Sequence, residues 1–408
     1  MRLAALALVL MALPVSAQNP VGHGGPVSAL DAGAQRVVSG GFDGRVILWH
    51  ADDGIAARIE HFHSGNVSAV SLLPDGFASA AQDGRVALWR AGQDGPVWAT
   101  PPGPAPVTAL AYADGALAAG FGDGRIGRIA LADGSLTAFD AHDGRVTGLA
   151  FMADGTLVSV GADLRFARWD AGDRLVARGN LPGLPNGLAR AGDVLAVPFA
   201  DGNLRLMSAD GALLPERFLT DRPLIAVASA PGTVAAAAVD GAVWILDLPF
   251  LTIRAEVPGG AGPVWALALD EDVLFTAGAQ GVIQRFLLAD GHPLGASKPV
   301  SDGSEQDGSR GAEVWRACAI CHSLAPGDHS RAGPSLHGLF GRRIASVEGY
   351  AFSPALRDLS IIWTPETLSA LFEQGPEAYT PGSRMPDQRI ADPEDRAALA
   401  EYLAQFAP

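Results

Sequence analysis

A tight-turn dipeptide returns about every forty residues along most of this chain, and no other feature restricts its fold as much. The turns are Asp43-Gly44, Asp83-Gly84, Asp123-Gly124, Asp163-Leu164, Asp201-Gly202, Asp240-Gly241 and Gln280-Gly281, separated by 40, 40, 40, 38, 39 and 40 residues. Six residues after each comes a large apolar side chain: Trp49, Trp89, Ile129, Trp169, Met207, Leu246 and Phe286. Sixteen residues before each of the first three begins a strand-like segment, at Val27, Val67 and Val107. Each unit therefore reads as strand, turn, strand, Asp-Gly hairpin, strand, turn, strand. Seven such units cannot each bury a face alone, but packed radially about an axis they can. Composition agrees: 50 Gly and 29 Pro with 48% hydrophobic residues describe a turn-rich globular chain and exclude a disordered one. A net charge of −15 argues against a nucleic-acid partner, because nothing would neutralise the phosphates.

Over roughly residues 20–300 the chain resembles the WD-repeat propeller family. Unit one carries His23, Ser39, Asp43 and Trp49, at offsets of 16, 20 and 26 from the histidine. Unit two repeats those offsets with His63, Ser79, Asp83 and Trp89. Unit four has His142, Ser159, Asp163 and Trp169, one residue longer in the first loop only. In that family the four side chains form a hydrogen-bonded chain between strands. The resemblance thus gives these histidines structural rather than metal-binding work. Units three, five, six and seven lack the full set and must rest more on packing. His61 has no such place and reads as a surface histidine. Residues 18–24 and 292–300 compete as the outer strand that closes the ring.

The first seventeen residues read as an export signal: Arg2, an apolar run from Leu3 to Leu13, Pro14, then Val15-Ser16-Ala17, with cleavage expected after Ala17. The apolar run is too short to span a bilayer, and no other stretch approaches the length of a membrane helix. The expectation is a periplasmic protein with no transmembrane anchor. The stretch from Lys298 to Ser309 is polar and glycine-punctuated, a linker composition that reaches ~15–20 Å as a flexible coil. The expected organisation is a signal peptide at 1–17, a seven-bladed propeller at 18–297, a linker at 298–307 and a second domain at 308–408.

Beyond the linker the repeat stops and helical spacing begins. Residues 311–321 and 394–406 place apolar residues at helical intervals, and Asp392-Pro393-Glu394 starts the second well. Trp363-Thr364-Pro365-Glu366 starts another, with Thr364 as N-cap and Pro365 at the first helical position. Both cysteines of the chain lie here, in Cys318-Ala319-Ile320-Cys321-His322. Cysteines three apart on a helical turn share a face, so both can form thioethers to one porphyrin, and the adjacent histidine can reach its iron. The other readings are a structural disulfide, a redox dithiol and half a zinc site. Zinc needs a second ligand pair, and a redox dithiol needs a βαβ context that is absent. The expected cofactor is one covalent haem c with His322 on one side of the metal. Met385, the single methionine after the linker, sits in Tyr379-Thr380-Pro381-Gly382-Ser383-Arg384-Met385-Pro386, and a soft thioether held there suits the other side. Its rivals are His329, close in sequence to His322, and His337.

From about 308 to 408 the chain resembles class I cytochrome c, near its mitochondrial and α-proteobacterial branch. Gly333-Pro334-Ser335-Leu336-His337-Gly338-Leu339-Phe340-Gly341-Arg342 matches the family loop beside the proximal histidine. The resemblance implies that the Pro334 carbonyl accepts a bond from the His322 imidazole and fixes its tautomer. It also implies that Arg342 and Trp363 hold a buried haem propionate, that His337 is a surface residue, and that the Trp315 and Tyr402 segments are crossed terminal helices. Phe352 stands where the family commonly has a second tyrosine, and Leu356 where a polar residue is usual. Leu371 or Phe372 replaces a further tyrosine, and one extra residue precedes Met385. These departures strip hydroxyls and an amide from the haem crevice.

The expected fold class is multidomain: an all-β seven-bladed propeller followed by a small all-α cytochrome c domain. The expected function is one-electron transfer, with redox partner proteins docking at the propeller and the haem edge. Two alternatives stand beside it: a catalytic oxidoreductase subunit whose propeller holds a substrate or second cofactor, and a haem-bearing scaffold or sensor. From residue 304 on there are 14 acidic and 9 basic residues, which leaves about −11 on residues 18–303. Six of the nine, Arg316, Arg331, Arg342, Arg343, Arg384 and Arg389, lie in segments that flank the haem crevice in the family. They form an expected basic rim for an acidic partner or for the chain's own propeller.

Overall fold

The computed structural model describes residues 19–20, 22–113, 115–258, 262–295, 308–319, 321–328, 333–350, 352–381, 383, 385 and 389–406. The expected signal segment 1–17 and linker 298–307 lie outside them.

In unit one, strands β1 (Val27–Gly33), β2 (Arg36–Gly41), β3 (Arg45–His50) and β4 (Ala56–His61) pair antiparallel in chain order. β2 is buried from Val37 to its end, whereas β4 alternates between half-buried and exposed residues. The middle strands are thus sandwiched between neighbouring units while the last faces solvent. Six sheets of four strands repeat this order, and a seventh, Val264–Asp270, Val273–Gly278 and Gln284–Leu287, has three. Seven apolar clusters each join two adjacent units, the last linking Val27, Ile47 and Trp49 to Phe275 and Ile283. The core is therefore a ring of inter-unit seams, as radial packing requires.

The repeated dipeptide has a conformational cause. Six of the seven turns place a glycine at φ between 70° and 98°, the left-handed region where a Cβ is penalised. Unit four puts Leu164 there instead, at φ 62° and 43% exposed.

The three histidine networks form as the resemblance implies. His23 bonds Asp43 through Nδ1 at 3.1 Å and Ser39 through Nε2 at 2.7 Å, and the Trp49 indole N–H donates to the same Ser39 hydroxyl at 2.8 Å. His63–Ser79–Trp89 and His142–Ser159–Trp169 repeat the pattern within a few tenths of an ångström. Burial alone would raise the carboxyls of Asp43, Asp83 and Asp163. The paired histidine and two backbone N–H donors each hold all three below the usual carboxylate range. Burial likewise pushes His142 down. Asp31 goes the other way: it ties unit one to unit two by accepting from the Leu72 N–H at 2.7 Å, and burial pushes its carboxyl up to about 6.

Described residues of both sequence candidates bond the last strand. The Pro20 carbonyl accepts from Ile283 N at 3.2 Å, at the start of the last strand. Farther along that strand, Leu287 N donates to His292 O at 2.8 Å and Leu294 N to Arg285 O at 2.7 Å. The outer position of the last unit is therefore shared between the two ends. Buried Arg285 reaches across the seam to the carbonyls of Ala51 and Asp52, at 2.9 and 3.0 Å.

The C-terminal part holds α1 (Arg310–Ala319), α2 (Pro354–Arg357), α3 (Pro365–Gln374), α4 (Pro376–Tyr379) and α5 (Pro393–Ala404). α1 and α5 cross, with the Trp315 and Tyr402 rings 6.3 Å apart. Arg310 at the start of α1 is bonded to Asp392, Glu394 and Asp395 at the start of α5. Thr364 caps α3 reciprocally with Thr367. The one-turn helices α2 and α4 each open on a proline and have no periodicity long enough to mark them in the sequence. Among the described residues no helix is long and apolar enough to cross a membrane.

Candidate functional site

The Cys-X-X-Cys-His segment begins inside α1 and ends beyond it. α1 stops at Ala319, but the N–H groups of Cys321 and His322 both donate to the Cys318 carbonyl, at 3.0 and 2.9 Å. The turn is thus carried past the helix end, and Cys318, Cys321 and His322 all line one cavity. Cys318 is buried and Cys321 half-buried, and neither is in a disulfide. Burial pushes the Cys318 thiol up to about 12, so it is held protonated in the apolar wall.

The loop after residue 333 orients the imidazole. His322 Nδ1 donates to the Pro334 carbonyl at 2.8 Å, which puts the ring proton on Nδ1 and the lone pair on Nε2. The ring lies against the backbone of Gly333: a Cβ there would sit 2.3 Å from Cε1 and 2.5 Å from Nδ1 of His322. The loop is itself anchored, Gly333 N to Cys321 O at 2.7 Å and Leu336 N to Ser323 O at 2.8 Å. The Ser335 hydroxyl also donates to Ala325 O at 2.7 Å.

All seven site residues named from the sequence, Cys318, Cys321, His322, Pro334, Arg342, Trp363 and Met385, line this cavity. Its remaining wall is largely apolar, with Leu339, Leu368, Phe372 and Leu403 among the lining side chains. Met385 enters from the turn after α4, its N–H bonded to the Ser383 hydroxyl at 3.1 Å. The Arg342 guanidinium donates to the carbonyls of His337 and Ser335, both at 3.0 Å, and has no carboxylate partner among the described residues. Burial lowers its pKa, so it presents a partly desolvated positive charge to the cavity. Trp363 meets it through the backbone, donating its N–H to Arg342 O at 2.9 Å. The residues present fit a large, mostly apolar group bearing an acid. Phe352, Leu356, Leu371 and Phe372, the departures noted above, all line the wall.

Other expectations are modified. His337 is half-buried rather than on the surface and does not line the cavity. His329 lies outside the described residues. Of the six rim arginines, Arg331 and Arg384 also lie outside them, and Arg316 and Arg389 are exposed. Arg342 is turned inward, and Arg343 donates to the carbonyls of Arg357 and Leu359 at 3.1 and 2.9 Å. The rim is therefore partly spent on fastening the crevice loop. Contributors the sequence reading gave no role include Gly333, quoted within its loop, and Phe42 from the first propeller unit, which also lines the cavity.

A family model described as cytochrome c matches residues 308–407, and one described as WD domain, G-beta repeat, matches 16–50 and 134–170. Over 107 residues, 26% of this chain, the sequence is 36% identical to "Cytochrome c2" of Blastochloris viridis and covers 84% of that protein. Over 105 residues, 25% of this chain, it is 40% identical to "Cytochrome c" of Cochliobolus lunatus and covers 96% of it. Among solved structures, the WD40 β-propeller domain of Doa1 superposes with a TM-score of 0.60 at 17% identity, covering 66% of this chain and 95% of that one. At that identity the likeness is one of fold.

Proposed function

The chain belongs to the cytochrome c family through its C-terminal domain, carried behind a WD-repeat propeller, and we propose that it is a periplasmic one-electron carrier with one covalent haem c. The cytochrome c domain implies haem-based electron transfer. The observation that carries the finer reading is the convergence of Cys318, Cys321, His322 and Met385 on a single apolar cavity. When bound, a haem supplies an iron couple that accepts and releases one electron. Cys318 and Cys321 are the thioether anchors. His322 offers Nε2 to the metal, because its Nδ1 proton is held by the Pro334 carbonyl. Met385 would offer its sulfur to the same metal, a soft donor that favours the reduced state. Arg342, which has no carboxylate partner among the described residues, would hold a haem propionate. Leu339, Leu368 and Phe372 exclude water. Residues 1–17 direct export, residues 18–297 form a docking platform for redox partner proteins, and residues 298–307 tether the domain at 308–408.

Expression with the native leader in a host that matures c-type cytochromes tests this. The expected result is one covalent haem per exported chain by pyridine haemochrome. Met385→Ala should keep the haem but lower its midpoint potential and open the metal to imidazole. Absence of covalent haem, or an unchanged potential in Met385→Ala, overturns the assignment.

A further inference from the structure

Two positions in the propeller depart from the repeat, and they depart together. The residue before each turn Asp is Phe42, Gln82, Gly122, Ala162, Ala200, Val239 and, before Gln280, Ala279; only the first is aromatic. The second residue of the innermost strand is Ser28, Ser68, Thr108 and Thr147 in units one to four, Ile225 in unit six and, alone aromatic among these, Trp265 in unit seven. Three of those hydroxyls bond a carbonyl of the next unit. Trp265 gives up that role. Units seven and one are neighbours at the seam, and there the Phe42 and Trp265 rings stack, 5.0 Å between centroids and 7° between planes. The Phe42 backbone is fixed as well, its N–H bonded to Pro26 O at 2.9 Å. Units three and four carry small residues at both positions, Thr108 with Gly122 and Thr147 with Ala162.

Phe42 also lines the crevice cavity of the C-terminal domain, alongside Tyr350, Phe352 and Met385. We propose that the Phe42–Trp265 pair is an intramolecular docking site whose occupant is the mouth of this chain's own haem crevice, with Phe42 as its cap. This rests on the haem reading above. The join permits it: residues 296–307 reach at most ~40 Å fully extended, so the crevice cannot travel far from the propeller. Charge favours it too, because the exposed Arg343 lines the cavity while residues 18–303 carry about −11. The cap shields the crevice from water and small ligands, and a partner reaching the haem edge has to displace it.

The test uses the full-length holoprotein as wild type, Phe42→Ala, Phe42→Trp and Phe250→Ala, the last an exposed ring elsewhere on the propeller. Cyanide association with the ferric haem and amide exchange at residues 345–350 are followed in each. Phe42→Ala is expected to speed cyanide binding about two- to tenfold, the shift that one lost aromatic contact produces. It should also raise exchange at 345–350. Phe42→Trp and Phe250→Ala should match wild type. Equal cyanide rates and equal exchange in wild type and Phe42→Ala overturn the docking site, as does an equal rise in Phe250→Ala. Amide exchange needs no haem, so a chain that binds none defeats the electron-carrier reading while the contact is still decided.

Discussion

Replacing Gly333 by alanine puts one methyl group where the structure leaves no room. The new Cβ would stand 2.3 Å from Cε1 and 2.5 Å from Nδ1 of His322. Ordinary carbon contacts begin near ~3.5 Å, so the imidazole must retreat by ~1 Å. The Nδ1···Pro334 O hydrogen bond, 2.8 Å in the native protein, then lengthens to about 3.5–3.8 Å and ceases to be one. That bond makes the imidazole a stronger donor, which favours the oxidised metal. A neutral hydrogen bond contributes about 1 kcal/mol, and a one-electron couple moves ~59 mV for each tenfold change in equilibrium. The midpoint potential should therefore rise by up to ~40 mV, with faster exchange of the histidine for added imidazole. Redox titration of the full-length holoprotein reads both. A potential within ~10 mV of wild type, in a variant with its full haem complement, would show that Gly333 does not set the imidazole's position.

The propeller supplies two further predictions. Ser39→Ala strands the buried Trp49 N–H and His23 Nε2 together, so urea unfolding should show a loss of about 2–4 kcal/mol; a loss below ~0.5 kcal/mol would mean the network is ornamental. Burial raises the folded-state pKa of Asp31 to about 6 from the ordinary 3.8, so the native state binds the extra proton between those values. Stability from this group is complete below pH ~4 and is lost as pH rises through ~6, about 3 kcal/mol in all. Asp43, Asp83 and Asp163 act oppositely, stabilising at neutral pH and losing that contribution as acid protonates them. Asp31→Asn should flatten the decline between pH 4 and 7 in thermal melts; an identical slope in the variant refutes the assignment.

What could be read from the sequence was whatever a local pattern encodes. The turn dipeptides report a left-handed backbone position, so their spacing counts the units, and even the exception at Leu164 keeps the step. The histidine networks were legible because three offsets recur together. The Cys-X-X-Cys-His segment and the Thr364-Pro365 helix start are likewise written in adjacent residues. Interactions between distant segments were not legible. Ring closure looked like a choice between 18–24 and 292–300, but a strand edge has room for both when each takes part of its length. The arginines were counted as a rim, whereas Arg342 and Arg343 turn to backbone carbonyls that only the folded loop brings near. Phe42 could have been noticed by comparing the seven turns, but nothing local connects it to a crevice three hundred residues later.

The shared seam also sets the order in which the molecule comes into being. A ring sealed through Pro20 at one end and Leu294 at the other cannot finish until nearly the whole propeller has left the ribosome. The entropy of that closure is modest, since each doubling of loop length adds only ~0.6 kcal/mol. The cost falls on time, because contacts so far apart form slowly. Meanwhile the following domain, whose crossed helices lie within the last hundred residues, depends on no such distant partner. While the ring waits, its last unit presents an unpaired edge that a second unfinished chain can occupy. Swapped or aggregated molecules, rather than unfolded ones, are therefore the by-products to expect when Arg285 or the residues around Pro20 are disturbed.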